Sequence, residues 1–301
     1  MSKTKAILRS MRLRTLPLSL SGVVLGLCLA CHDGYGSWLL TLTVLLTTVC
    51  LQILSNLSNE LGDYLHGTDA EGRQGPEYSM QAGELSVKDM RWTIGIMMAL
   101  CCLLGAWMIA CSFGTLFSLP AVFMLLLGAC AIWAAMHYTL GNNPYGYRGL
   151  GDVFVFIFFG LVSVAGAYFV AAHQLPWQLL LPAAAIGCFS VGVLNVNNIR
   201  DMQTDAGTRV TVPLKIGEHK ARIYQTGLIV AGWLLMIGYV AIYGHSWLNW
   251  LFVLTLPLYI VHLRGIWRLS DKPLDAMLPL LVMSTFLLSL LVGMGFLIHN
   301  S

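Results

Sequence analysis

The feature that most constrains this chain is a series of long apolar runs, each near the roughly 20 helical residues needed to cross about 30 Å of hydrocarbon. Nine can be read, over residues 16–31, 39–57, 93–111, 116–140, 153–172, 179–198, 224–243, 247–262 and 277–298. In lipid every backbone N–H and C=O must be satisfied within the protein, so runs this long and this continuously apolar fold as helices. Composition agrees: 57% of residues are hydrophobic, 10% are charged and the mean hydropathy is +0.74. The expected fold is therefore an all-α, polytopic membrane protein whose residues 1–301 form one transmembrane domain, and a soluble globular class is excluded. The first run follows five basic residues, as a signal peptide would. It lacks a small-residue cleavage site and is followed by eight more runs, so it is read as a retained helix.

Cytoplasmic segments keep Lys and Arg, and all seventeen here fall on one side of the nine-helix arrangement. Lys3, Lys5, Arg9, Arg12 and Arg14 precede the first helix, and the rest lie in the second, fourth, sixth and eighth loops. This predicts a cytoplasmic N-terminus and an external C-terminus. The net charge of +3 is thus a topology signal; a nucleic-acid surface would need a clustered basic face, which is absent. The eight cysteines form no zinc or disulfide pattern, and Cys28 and Cys31 read as small packing residues.

By the same topology every acidic residue except Asp33 lies on the basic side, concentrated where the second and sixth helices leave the membrane. The two segments there read Asn59-Glu-Leu-Gly-Asp63-Tyr-Leu-His-Gly-Thr-Asp69 and Asn197-Asn-Ile-Arg-Asp201-Met-Gln-Thr-Asp205. Asn59 and Asn197 stand 138 positions apart, as do Asp63 and Asp201, and each segment has an arginine four residues after its last Asp, Arg73 or Arg209. An internal duplication with both sites on one membrane face is implied. Helical spacing aims Asn197, Asp201 and Asp205 at one point, and likewise Asn59 and Asp63. Asp69 is off that face, so the helix must loosen, and Gly67 is the expected place. Single loop acids are ordinarily just solvated. Two matched clusters near lipid point to a cation or a polar pathway, and carboxylate with amide oxygens suits Mg²⁺ shared with substrate phosphates. Arg73, Arg148, Arg200, Arg209 and Lys215 are candidates to hold those phosphates. A secondary transporter is the alternative of another class, but its sites belong at the bilayer midplane, whereas these acids gather at one face.

With these motifs the chain resembles the UbiA superfamily of intramembrane prenyltransferases, whose aspartate-rich motifs follow helices two and six. The tracts Arg12-Leu-Arg-Thr-Leu-Pro17, Asn142-Asn-Pro-Tyr-Gly-Tyr-Arg-Gly-Leu-Gly-Asp152 and Val153-Phe-Val-Phe-Ile-Phe-Phe-Gly160 resemble the branch that prenylates 1,4-dihydroxy-2-naphthoate in menaquinone biosynthesis. The similarity runs from about Arg9 to about Gly217; the last three helices match in hydropathy and length. It departs after Gly75-Pro76, where Glu77-Tyr78-Ser79 replaces an expected basic residue. The resemblance implies a bacterial inner-membrane enzyme, its site facing the cytoplasm, with a polyprenyl diphosphate and the naphthoate as substrates. It implies Mg²⁺ on Asp63, Asp69, Asp201 and Asp205 with Asn59 and Asn197. Tyr145 and Arg148 would serve the chemistry, and Arg73, Tyr147, Arg200, Arg209 and Lys215 would bind substrate with the two asparagines. Tyr138, Tyr145, Tyr147, Phe154, Phe156 and Tyr168 are candidates for stabilising an allylic cation, and His66 for a base. A related enzyme using 4-hydroxybenzoate, homogentisate or haem shares all of this except the acceptor. No redox cofactor, nucleic acid or obligate protein partner is expected.

Overall fold

The computed structural model describes residues 2–68 and 78–299; the expectations placed on Asp69, Arg73 and Glu77 lie outside them. Among the described residues, nine helices are long and apolar enough to cross a membrane, as expected. A short helix α1 (Lys3–Ser10) precedes them. The spans are α2 (Leu16–His32) and α3 (Trp38–His66), then α4 (Val87–Phe113) and α5 (Leu119–His137). They continue as α6 (Gly151–Ala172), α7 (Trp177–Arg200), α8 (Glu218–Tyr243), α9 (Trp247–Arg268) and α10 (Lys272–Ile298).

α3 outruns its apolar stretch by two turns, so Asn59 and Asp63 are helical residues. It ends where anticipated, at Gly67, whose φ of 68° an L side chain rarely adopts. The turned chain sends the Thr68 N–H back to the Asp63 carbonyl at 3.1 Å, closing the helix in the manner of a left-handed C-cap. Lipid tails are as apolar as leucine, so helices associate where small residues let backbones approach. Gly22 and Gly26 of α2 lie against Ser163 and Val164 of α6, and a Cβ on Gly160 of α6 would stand 2.5 Å from the Gly187 Cα of α7. Between Phe156 and Gly166, α6 winds as a wider π-helix, a form that recurs beside functional sites. α7 is the central helix, with 72% of its apolar window buried, against 17% for α5.

The loops after α3, α5, α7 and α9 meet the N-terminal segment on one face. The Val210 N–H donates to the Tyr147 carbonyl at 2.9 Å, Arg200 pairs with Asp275, Arg9 with Glu84 and Lys3 with Asp89 at 2.9 Å. At the other end, Tyr168 donates to Asp33 at 2.5 Å and Gln174 to Tyr35 at 2.6 Å.

Candidate active site

α3 places Asn59 and Asp63 one turn apart, and both line a cavity of about 600 Å³ that enters the bundle from the charged face. The Asp63 carboxylate accepts from the Tyr147 hydroxyl at 2.7 Å and from Thr68 at 3.2 Å. Arg209 joins the two acidic motifs: its Nε lies 2.9 Å from Asp205 and its Nη1 4.0 Å from Asp63, with the guanidinium 5.4 Å above the Tyr147 ring. Burial opposes the Arg209 charge, but the carboxylates of Asp63 and Asp205 outweigh it and push its pKa above the ordinary value. Burial, and then the Asp63 charge, raises the Tyr147 phenol. Tyr147 is thereby kept a neutral donor.

In the second motif each acidic side chain is held by its own arginine, Asp201 by Arg200 and Asp205 by Arg209. The long helix ends at Arg200, Asp201 interrupts it with φ −94° and ψ 10°, and a single further turn, Met202–Asp205, resumes beyond it with the Asp205 N–H donating to the Asp201 carbonyl at 2.8 Å. Asp205 turns to Arg209. Asp201 stays against Arg200, whose Nη2 and Nε lie 2.6 and 2.8 Å from its oxygens. Arg200 also reaches Asn197 at 2.9 Å and Asp275. Arg200, expected to meet a diphosphate, is buried with its Nε, Nη1 and Nη2 engaged by Asp201, Asp275 and Asn197.

Arg148 is exposed on the rim, its backbone paired with Val210 in a one-residue parallel bridge. Lys215 stands over the neighbouring turn, its Nζ 2.9 Å from where a Gly149 Cβ would be. Tyr145 spends its hydroxyl on the Ala134 carbonyl at 2.8 Å and offers its ring, stacked 3.9 Å from Phe154 and edge-on to Tyr138. Tyr138, Tyr145 and Phe154 form an aromatic wall of the cavity. Two aromatic candidates fall elsewhere: Phe156 packs on Gly187, and Tyr168 is bonded to Asp33 at the far end. The His66 Nδ1–H donates to the Gly62 carbonyl at 2.8 Å and the ring props Tyr147 edge-on; His137 stacks on Trp133. Sequence reasoning gave no role to Thr68, or to Glu60, which is fully buried and ties Ser10 and the Met80 N–H to α3, each at 3.1 Å. A Glu beside Asn59 inside an apolar helix was the available signal.

Among the described residues, no three His, Cys, Asp or Glu side chains approach closely enough to hold a metal alone. The donors are carboxylate and amide oxygens, and Asp63, Asp201 and Asp205 are each 4% exposed or less. Such a hard, partial set fits Mg²⁺, which keeps waters and shares substrate phosphates rather than requiring a full protein cage. Beyond this corner the cavity is apolar and bordered by small residues, among them Gly105, Ala106, Gly128 and Ala131 on α4 and α5.

The model of the UbiA prenyltransferase family matches residues 19–291. The chain is 39% identical over 298 residues to the 1,4-dihydroxy-2-naphthoate octaprenyltransferase of Escherichia coli (strain K12), with 98% of this chain and 96% of that one covered. Its structure is similar to that of a UbiA homolog from Aeropyrum pernix K1, with a TM-score of 0.69 at 16% identity over 97% of this chain and 98% of that one. It is also similar to a UbiA homolog from Archaeoglobus fulgidus bound to GPP and Mg²⁺, with a TM-score of 0.56 at 13% identity over 93% and 99%. At these identities the two structures speak to the fold.

Proposed function

The chain belongs to the UbiA prenyltransferase family, and from that premise we propose that it transfers a polyprenyl chain from a polyprenyl diphosphate to 1,4-dihydroxy-2-naphthoate. Diphosphate and carbon dioxide are released, and residues 1–301 act as one domain of the bacterial cytoplasmic membrane with the charged face toward the cytoplasm. The reading is supported most by one observation: a buried Asp63, Arg209 and Asp205 cluster at the mouth of an apolar cavity. The identity to the Escherichia coli enzyme supports the acceptor, and the clustering of Lys and Arg on one face supports the orientation.

Mg²⁺ held by Asp63, Asp201 and Asp205, by Asp69 beyond the described residues, and by Asn59 and Asn197 would neutralise the charge of the departing diphosphate. Arg209, Lys215 and Arg148 donate charge-assisted hydrogen bonds to its oxygens. Tyr147 holds the Asp63 carboxylate in place. Tyr138, Tyr145 and Phe154 supply an electron-rich aromatic wall for the allylic cation left when the carbon–oxygen bond breaks, and the apolar lining keeps out the water that would quench it. The acceptor carbon bearing the carboxylate then forms the new carbon–carbon bond. Loss of CO₂ returns its electron pair to the ring, so demethylmenaquinone is delivered in its quinol form with no electron acceptor consumed. A polyprenyl tail longer than the cavity leaves sideways into lipid past α4 and α5. Crosslinking by a photoreactive diphosphate analogue confined to loops outside the membrane would refute that path.

The test is turnover of a radiolabelled polyprenyl diphosphate by purified protein in nanodiscs, with the naphthoate or 4-hydroxybenzoate in parallel. A product of demethylmenaquinone mass from the naphthoate alone, lost with EDTA and in Asp63→Asn and Asp201→Asn, is the expected result. Product from hydroxybenzoate alone moves the acceptor. Absence of any metal-dependent product overturns the proposal.

A further inference from the structure

The Arg12-Leu-Arg-Thr-Leu-Pro17 tract has no part in the Asp63, Arg209 and Asp205 cluster, yet its first residue lines the same cavity. Arg12 is one of three non-glycine residues with positive φ among those described, at φ 48° and ψ 52°. Such a backbone persists only where its surroundings enforce it, and here a polar cluster from α3 does so. The Asn56 amide donates to the Met11 carbonyl at 2.8 Å and to the Thr15 hydroxyl at 2.9 Å. Thr15 returns both its N–H and its hydroxyl to the Arg12 carbonyl, each at 2.9 Å, and Gln52 braces Asn56 at 3.0 Å. The held backbone brings the guanidinium over the Tyr78 ring, its Cζ 3.9 Å from the centroid. Tyr78 belongs to the segment that departs from the expected basic pattern.

The nitrogens Nε and Nη2 of Arg12 are buried and meet no hydrogen-bond acceptor. A buried cationic fork with idle donors is costly in a membrane protein, and an anion removes that cost. The diphosphate is already faced by Arg209, Lys215 and the carboxylates around Asp63. Asn56, which sets the Arg12 backbone, precedes Asp63 by seven residues on α3, about 10 Å along the axis. Two anionic groups flanking one reacting carbon, a leaving diphosphate on one side and a ring carboxylate on the other, fit that separation. The planar fork of arginine matches a carboxylate with two parallel hydrogen bonds, and the contact with Tyr78 uses no donor, so Nε and Nη2 stay available to the ligand.

We propose that Arg12, fixed by the Asn56, Thr15 and Gln52 cluster and backed by Tyr78, anchors the carboxylate of the aromatic acceptor and so selects ring acids over the corresponding phenols. This rests on the reading of the site as one for an aromatic acid acceptor. Arg12→Gln in nanodiscs should raise the KM for 1,4-dihydroxy-2-naphthoate on the order of 10- to 100-fold, the effect of one charged hydrogen-bonded pair, and leave the KM for the polyprenyl diphosphate unchanged. A binding readout independent of turnover is competitive inhibition by 1-hydroxy-2-naphthoate compared with 1-naphthol. The parent should favour the acid and the variant should lose that preference. Should Arg12→Gln fail to fold, Arg12→Lys, which keeps the charge but not the fork, should show the same split at smaller size. A rise confined to the diphosphate KM, or an unaltered preference between acid and phenol, overturns the assignment. A parent enzyme active only with 4-hydroxybenzoate removes the naphthoate reading but leaves Arg12 testable by the same split on that acid. A parent that alkylates only acceptors without a carboxylate overturns both.

Discussion

Replacing Arg209 by Gln keeps the approximate length and polarity of the side chain and removes its charge, and the geometry sets the cost. The guanidinium lies 2.9 Å from Asp205 and 4.0 Å from Asp63, and both carboxylates are almost completely buried. One unit pair at 4 Å with an effective dielectric near 20 interacts by about 4 kcal/mol, and removing one partner of a buried pair costs about 3–5 kcal/mol. With EDTA present, the variant should therefore lose about 3 kcal/mol of stability, roughly a 150-fold shift in the unfolding equilibrium. Removing the Arg209 charge also leaves more uncompensated negative charge at Asp63 and Asp205, so added Mg²⁺ should stabilise the variant more than the parent. The assay is denaturant unfolding of purified protein in detergent, followed by tryptophan fluorescence, with EDTA or Mg²⁺. A variant as stable as the parent in EDTA, or an equal Mg²⁺ increment in both, would refute the claim that Arg209 is a resident counter-ion of Asp63 and Asp205.

Tyr147→Phe removes the hydrogen bond to Asp63, worth about 1.5–3 kcal/mol because its acceptor is charged. The expected result is a ten- to hundredfold loss in kcat/KM with an unchanged elution profile in gel filtration. Burial and Asp63 raise the Tyr147 phenol, and a group raised on folding contributes stability that is complete below its unfolded pKa, about 10, and is lost as pH rises through the folded value. Parent and Tyr147→Phe profiles of kcat/KM against pH should accordingly run parallel below that point; an inflection there that vanishes in the variant contradicts the assignment. Gly160→Ala drives a Cβ to 2.5 Å from the Gly187 Cα and 2.7 Å from the Ala183 carbonyl. Backbone cannot yield as a side chain does, so a loss of about 1–3 kcal/mol is expected by thermal unfolding. Gly95→Ala, where a Cβ meets nothing, serves as the neutral control.

The spans were legible because the bilayer leaves the backbone few options, and the acidic motifs because charge at the end of an apolar run is conspicuous. Gly67 could be named as the bend, since a glycine between two carboxylates that must converge has few other uses. What could not be read was direction. Asp201 and Asp205 obey helical spacing on paper, yet each carboxylate is held by a different arginine, Arg200 or Arg209, across the break in the helix at Asp201. That Arg200 faces inward depends on Asp275, seventy-five residues on at the start of α10, and no local pattern announces a partner so distant. Phe156 and Tyr168 share a composition with Phe154 and Tyr145; their separation from the cavity's aromatic wall reflects the wide winding of α6 and Asp33 at its far end.

The unequal burial of the helices has a consequence for how the gene can change. The outward face of α5, where Leu126 is 63% exposed, meets acyl chains, and any apolar side chain is solvated there equally well, so drift along that face is nearly free. α7 has no such latitude. Ala183, Ala185, Ile186 and Phe189 are wholly enclosed, and a methylene added or removed has to be absorbed by neighbours on several helices at once. Saturation mutagenesis under selection for quinone-dependent growth should thus leave α5 a loose alphabet of hydrophobic letters and α7 close to a fixed text.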